Sequence, residues 1–299
     1  MDVTESWDGT ERTTPGGGPF NTARALSRLG VPTAFLGRLS TDAPGRELAR
    51  LLSDDGVDLS LVSVGPEPTT VARASVTKDG SATYRFSTDG TSAPNLTPDM
   101  LPATLGPDVT AIHVGTLGLV LEPISSTVME LLAREGARRR VMVDPNIRPD
   151  AIANASASHA RLIAAIGLST VVKASEDDVA WLYPGLDLST AAERMLARGV
   201  RLVVVTLGER GAMGMTAAGQ VEVKAQAVEV VDTIGAGDAF GAALLAWLEE
   251  HCPIQRDLRL EATELASALT FACRAASLSC TRAGAEAPYR ADLDKPLRC

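Results

Sequence analysis

Residues 232–245 read DTIGAGDAFGAALL, from Asp232 to Leu245. Upstream, Val228–Val231 reads as a short strand; downstream, Ala239 to Leu245 reads as an apolar helix. Between them the turn is built almost entirely of small residues, so an anion can approach the backbone closely. The first N–H groups of a helix have no partners within it and point into that space. Gly235, Ala236 and Gly237 therefore form a candidate anion hole. A carboxylate beside such a turn, Asp238, repels a bound anion unless it has a task of its own. Taking the proton of an attacking hydroxyl is such a task, and the helix N-terminus stabilises the ionised acid. Negative charge that builds on a phosphoryl group in transfer is then met by preorganised donors. The bland alternative is a helix capped by an acid, without chemistry.

Gly235, Gly237 and Gly241 also fit a loose dinucleotide turn. That turn opens a βαβ unit, whereas only about 60 residues follow this one, with no clear strand among them. A dinucleotide-binding oxidoreductase is disfavoured accordingly. The strands lie before the turn. β-Branched runs recur at Thr33–Leu36, Thr110–Val114, Arg140–Val143, Thr170–Val172 and Arg201–Val205. Helical patterns such as Ser125–Glu135, His159–Ile166 and Ala191–Arg198 separate most of them. This βαβα order predicts an α/β fold with a central, mostly parallel sheet flanked by helices. Ligands of such sheets sit beyond the carboxyl ends of the strands. Here those ends read Val114-Gly115-Thr116, Asp144-Pro145-Asn146, Ala174-Ser175-Glu176 and Thr206-Leu207-Gly208. Residues 212–230 change register and predict two alternating strands turning at Ala218–Gly219. After Asp232 the chain is almost wholly helical to about Ser279.

Two Asp-Gly pairs, Asp8-Gly9 and Asp79-Gly80, mark hairpin turns. They predict a small separate sheet from lid strands at about 2–14 and 69–88. In that sheet Val71, Arg73 and Ser75 are set against Ala82, Tyr84 and Phe86. Its bland reading is a surface decoration; its functional reading is a lid or a homodimer surface. Three glycines, Gly16 to Gly18, precede a helix with Ala25, Leu26 and Leu29 on one side. Gly30 is placed as its C-terminal cap, and Pro32 prevents continuation. Asn21 near its start is either an N-cap or a hydrogen-bonding partner for a ligand hydroxyl.

Composition narrows the classes. The formal net charge is -9, which argues against nucleic acid or anionic lipid as partner, since both need clustered Lys and Arg. Cys252, Cys273, Cys280 and Cys299 fit no C-x-x-C pattern and read as reduced thiols of a cytoplasmic protein. There is no apolar run of membrane-spanning length and no signal-peptide pattern. No G-x-x-x-x-G-K-[ST] loop occurs, so a nucleotide site is not of that type. His113 sits in a predicted strand and reads as structural.

GGGPFNTARALSRLG near the start, VTLGERGA at 205–212 and DTIGAGDAFGAALL at 232–245 together resemble the ribokinase-like (PfkB) carbohydrate kinases, in order and over nearly the whole chain, 1–299, as a single domain. The resemblance implies a ribokinase-like sheet with a small β lid over a sugar, ATP with Mg2+ as phosphoryl donor, Asp238 as base and Gly235–Gly237 as anion hole. It implies Thr206, Gly208, Gly211 and Ser175 near ATP, and Gly17, Asn21 and Asp2 facing the sugar. Asp144-Pro145-Asn146-Ile147-Arg148, Tyr84-Arg85-Phe86 and Lys173-Ala174-Ser175-Glu176 are most similar to bacterial fructokinases and 2-keto-3-deoxygluconate kinases. Fructose, phosphorylated on its 6-hydroxyl, is the expected acceptor. For a keto-deoxy acid, Arg85 or Arg148 supplies the cation its carboxylate needs. A non-catalytic sugar- or nucleotide-binding member of the fold is the alternative from another class.

There are departures from the family pattern. Relatives carry Asn-x-x-Glu where this chain has Ser175-Glu176-Asp177-Asp178, which leaves Asp178 as the acid linked to Mg2+ through water. Ser40 replaces a usual glycine. Met1-Asp2-Val3 aligns with the end of the apolar strand on which relatives begin. Some relatives bind a monovalent cation such as K+ near the anion hole, which here implicates Asp232 and carbonyls around Ile234.

Overall fold

The β-branched runs between residues 110 and 206 form the parallel core. In this computed structural model, residues 1–5, 11–76, 82–252 and 258–295 are described; for 2–5, 11–12, 74–76 and 82–85 the description is of the backbone. The first elements are β1 (Asp2–Glu5), β2 (Glu11–Thr14), α1 (Gly18–Arg28), β3 (Gly37–Ser40), α2 (Ala43–Asp54) and β4 (Val62–Gly65). They are followed by β5 (Val71–Val76), β6 (Ala82–Ser87), β7 (Ala111–Gly115), α3 (Ile124–Glu135), β8 (Arg140–Asp144), α4 (Ala155–Leu168) and β9 (Val171–Ser175). The remainder comprises α5 (Glu176–Leu182), α6 (Leu188–Leu196), β10 (Leu202–Thr206), β11 (Ala212–Thr216), β12 (Gly219–Val223), α7 (Ala236–His251), α8 (Ala262–Cys280) and α9 (Arg290–Leu293).

The main sheet has the order β12-β11-β10-β9-β8-β7. Strands β7 to β10 are parallel to their neighbours, and β11 and β12 are antiparallel additions at one edge. Both faces are covered, which is why these strands carry apolar residues on both faces rather than at alternate positions only. Val171, Leu202 and Val204 face α1, α7 and α8. Val172, Val203 and Val205, offset by one residue, face α3 to α6.

A four-stranded sheet of order β2-β1-β5-β6 forms from the two hairpins, joined by parallel pairing of β1 with β5. Its register differs by one residue from the expected one: Arg73 lies opposite Arg85, and Ala72 opposite Phe86. A slip of one residue exchanges the faces, so Val71, Arg73 and Ser75 share a face with Thr83, Arg85 and Ser87. The turns Asp8-Gly9 and Asp79-Gly80, like Cys299, lie outside the described residues.

Two other expectations are corrected. The strand expected at Thr33–Leu36 begins later, at Gly37; Ala34 makes only an isolated bridge with Asp58. Val228–Val231 is not a strand. Val231 and Asp232 both donate their N–H to Cys280 O, at 2.8 and 3.2 Å, and Val230 and Val231 remain 59% and 61% exposed. The segment is tied to the end of α8 instead of to a neighbouring strand. At the end of α1, Gly30 takes φ 86° and donates to Ser27 O at 2.9 Å, closing the helix where expected.

Candidate active site

The carboxyl ends of β7 and β8 and the N-termini of α1 and α7 meet in one place. Gly18, the first residue of α1, marks it. A Cβ there would sit 2.6 Å from Thr116 Oγ1 and 3.3 Å from both Asn146 Nδ2 and Asp238 Oδ1. Thr116 and Asn146, just past β7 and β8, take positive φ values of 54° and 39°. Such backbone costs a non-glycine residue about 1–3 kcal/mol and tends to mark functional positions. Asn146 Nδ2 donates to Thr116 Oγ1 at 3.2 Å, which joins the two strained residues.

Asp238 lies in the first turn of α7 and is 8% exposed. Asn21 Nδ2 donates to its Oδ2 at 2.8 Å across 217 residues of sequence. Burial pushes the Asp238 carboxyl up to about 6, against the Asn21 hydrogen bond; the charge of Asp144 adds to the rise, and Lys173 and Arg148 oppose it. An acid in that range is ionised at neutral pH and still basic enough to accept a hydroxyl proton. Asn21 is not an N-cap. Gly17, at φ 127°, caps α1, and its carbonyl accepts from Asn21 N at 2.9 Å. Asn21 Oδ1 is buried without a hydrogen-bond partner among the described residues, an acceptor that suits an incoming O–H donor.

The turn before α7 is tight. Gly235 caps the helix with φ 77°, and a Cβ there would lie 2.5 Å from Ala285 Cβ. The N–H of Ala236 donates to Thr233 O at 3.2 Å, so of the three expected anion-hole donors this one closes the turn itself. Asp232 braces the same turn, accepting from Ile234 N at 2.9 Å and from Gly284 N at 2.8 Å.

Ser175 and Asp178 share a structural task that sequence reasoning did not assign. Asp178 is buried, and its Oδ2 accepts from Ser175 N and Ser175 Oγ at 2.8 Å each, while its Oδ1 accepts from Ile147 N at 2.7 Å. Ser175 Oγ in turn accepts from Asp178 N at 3.1 Å. This is a capping box at the start of α5. It engages the hydroxyl expected at ATP and both oxygens of the acid expected to reach a metal through water.

Thr206 ends β10 beside Ser175, with its hydroxyl 3.4 Å from Ala174 O. Gly208 and Gly211, at φ 59° and 106°, make the turn into β11. There a Cβ on Gly211 would meet Val223 O at 2.0 Å. Arg148 is exposed and donates to its own loop, to Ile147 O at 3.1 Å. Strand β6, which carries Arg85, packs on the following turn at residues 149–151. The side chains of Asp2, in β1, and Arg85 lie outside the described residues.

Sequence reasoning placed Thr116, Asp144 and Asn146 at strand ends suited to line a site without giving them individual roles, and it gave Lys173 none. A lysine within the Val-rich run TVVKAS was a legible signal, since lysine is almost never fully buried unless paired. Lys173 Nζ donates to Asp144 Oδ2 at 2.8 Å. His113 is kept neutral, pushed down to about 4 by burial and by the charge of Lys173.

Residues 6–292 match the model of the pfkB family carbohydrate kinases. The chain is 41% identical over 234 residues to a fructokinase of Rhizobium leguminosarum bv. trifolii, covering 78% of this chain and 71% of that one. It is 31% identical over 302 residues to a fructokinase of Klebsiella pneumoniae, covering 99% and 96%. Among solved structures, fructokinase from Vibrio cholerae O395 in a form with fructose, ADP and calcium ion bound superposes with a TM-score of 0.84 at 28% identity, over 98% of this chain and 96% of that one. The ribokinase-like architecture, the buried acid at the start of α7 and these matches lead to one assignment: the chain belongs to the pfkB family of carbohydrate kinases and is an ATP-dependent sugar kinase.

Proposed function

We propose that this kinase transfers the γ-phosphoryl group of ATP to the 6-hydroxyl of fructose, with Asp238 as base. The observation that carries the reading is the buried Asp238 carboxylate at a helix N-terminus, hydrogen-bonded by Asn21. As the acceptor oxygen bonds to the γ-phosphorus, its proton passes to Asp238. The bond from that phosphorus to the β–γ bridging oxygen breaks, and ADP leaves with that electron pair. Charge on the phosphoryl oxygens faces the Gly235–Gly237 turn and the positive end of α7. Asn21 Oδ1 and Gly17 face the sugar in this reading, with Arg148, Asp2 and Arg85 toward its far end. Thr206, Gly208 and Gly211 take the phosphate side of ATP.

Mg2+ enters with ATP as part of the co-substrate, held chiefly by phosphate oxygens and water, as this ion commonly is. It neutralises phosphate charge there. Asp232, whose carboxylate already gathers the 232–235 turn and Gly284, is the proposed acid beside a monovalent cation such as K+. The lid sheet offers β2 and β6 as outer strands for a homodimer. The free thiols Cys252, Cys273 and Cys280 accord with a cytoplasmic setting. Among the described residues no helix is long and apolar enough to cross a membrane.

The test is ADP release with Mg-ATP over fructose, ribose, 2-keto-3-deoxygluconate and nucleosides. Fructose is expected to give the highest kcat/KM. A higher value for the keto-deoxy acid would transfer the assignment to that substrate and give Arg148 its carboxylate.

A further inference from the structure

Lys173 lies in the middle of β9, among Val171, Val172 and Ala174, which are fully buried. A charge there is costly unless it is paired. The partner is Asp144 at the end of β8, and the two side chains are 5% and 4% exposed. The ammonium is aimed at the α7 turn. A Cβ on Gly237 would lie 3.2 Å from Lys173 Nζ, and one on Gly241 would lie 4.0 Å from Lys173 Cδ. The stem thus runs along the first two turns of α7, and the charge ends beneath the residue that precedes Asp238. The pair is also incomplete in itself, since Asp144 Oδ1 is buried without a partner among the described residues. A purely structural ion pair is expected to satisfy its remaining lone pairs.

We propose that Lys173, held by Asp144, is a positioning residue for phosphoryl transfer: a fixed positive charge beneath Gly237 that offsets the negative charge of Asp238 and of the phosphoryl group in flight. This rests on the kinase reading above. Lys173 gives up no proton in the reaction. Burial pulls its ammonium down, but Asp144, with Asp238 and Asp178 behind it, outweighs burial and leaves the group raised above the ordinary lysine value. Among the described residues, the groups facing Asp238 come from four elements. Helix α1 presents the neutral Asn21, the residue after β7 the neutral Thr116, β8 and the loop after it Asp144 and Arg148, and β9 Lys173. His113, also within reach of Lys173, is already neutral above about pH 4.

The signs of two single substitutions are therefore opposite. Without the lysine charge the ionised form of Asp238 is less favoured, and the acid limb of kcat/KM against pH moves up. Without the Asp144 charge it moves down. The experiment measures these limbs for fructose with saturating Mg-ATP in the wild type, Lys173→Met, Asp144→Asn and the double variant, with thermal unfolding of each. Displacements of about half a pH unit or more in opposite directions are expected. Limbs that stay together in folded single variants overturn the proposal. Lys173→Met leaves a buried, unpaired acid and is the variant most at risk of failing to fold. The double variant removes both charges and is the tolerated neutral form, so it decides in that case. Its plateau kcat is expected to fall by about 10-fold or more with KM for fructose within about twofold. An unchanged plateau overturns the proposal. The wild type is the control for the kinase reading itself: absence of turnover there would refute that reading, whereas normal wild-type turnover with unmoved variants would refute only the role of Lys173.

Discussion

Asp238 carries a charge without which the fold would be more stable. Its folded value of about 6 lies above the ordinary 3.8, mainly through burial. Between those values the folded state holds the proton more tightly than the unfolded one. Stability is lost as pH rises through that window, and the loss is complete above about 6. The corresponding cost is about 3 kcal/mol. Asp238→Asn is therefore expected to lower kcat by about 10²–10⁴-fold and yet raise the melting temperature at pH 7.5. That gain should fade toward pH 4, where the wild-type acid is protonated. Calorimetry at the two pH values, beside an ADP-release assay, checks both halves. In the wild type, kcat/KM should climb with pH and level off above about 6. Gly235 is the other residue with a sharp expectation. With φ 77° and Ala285 2.5 Å from the site of a Cβ, Gly235→Ala displaces the turn, and kcat should fall at least about tenfold. Unchanged turnover in that variant would remove the turn geometry from the mechanism.

At the scale of elements, α5 shows how a residue pattern reads differently once its neighbours are known. Ser175 and Asp178 stand at N-cap and third-residue spacing, a capping-box signature as much as a ligand motif. Hydrogen bonds to Ser175 and Ile147 show the cap. Asp178→Ala leaves the Ile147 and Ser175 amides without acceptors and should destabilise the fold by about 1–3 kcal/mol, read as a lower urea midpoint. Its kcat should fall far less than that of Asp238→Asn. The reverse pattern, an intact midpoint with lost turnover, would restore Asp178 to the metal. The parallel strands were legible because burial on both faces leaves continuous apolar runs, as in Val203–Val205. Val228–Val231 shows the same residue types and is no strand, since propensity does not reveal whether a sheet edge is at hand. The lid hairpins were legible, but their register was not, because pairing is decided by the turn and by β1 lying alongside.

For the molecule as a whole, the two ligands are expected to contact elements that are distant in sequence: α1, the ends of β7 to β10, the lid and the α7 turn. Binding to the folded state alone then stabilises all of them together. Fructose with ADP, each at about 100 times its dissociation constant, should add about 2.7 kcal/mol per ligand to unfolding, seen as a rise in melting temperature larger than for either alone. Ribose at the same concentration should give a smaller rise.

Periodicity, the glycine-rich turn and the acid after it determined the layered α/β class, the capped helices α1 and α7 and the acid proposed as base, because each depends on residues adjacent in the chain. Folding alone decided that Asn21 would meet Asp238, that Lys173 would lie beneath Gly237 and that Asp178 would be used as a cap. Those outcomes turn on desolvation and on charges brought together from separate strands and helices, and no local pattern encodes the dielectric around a side chain.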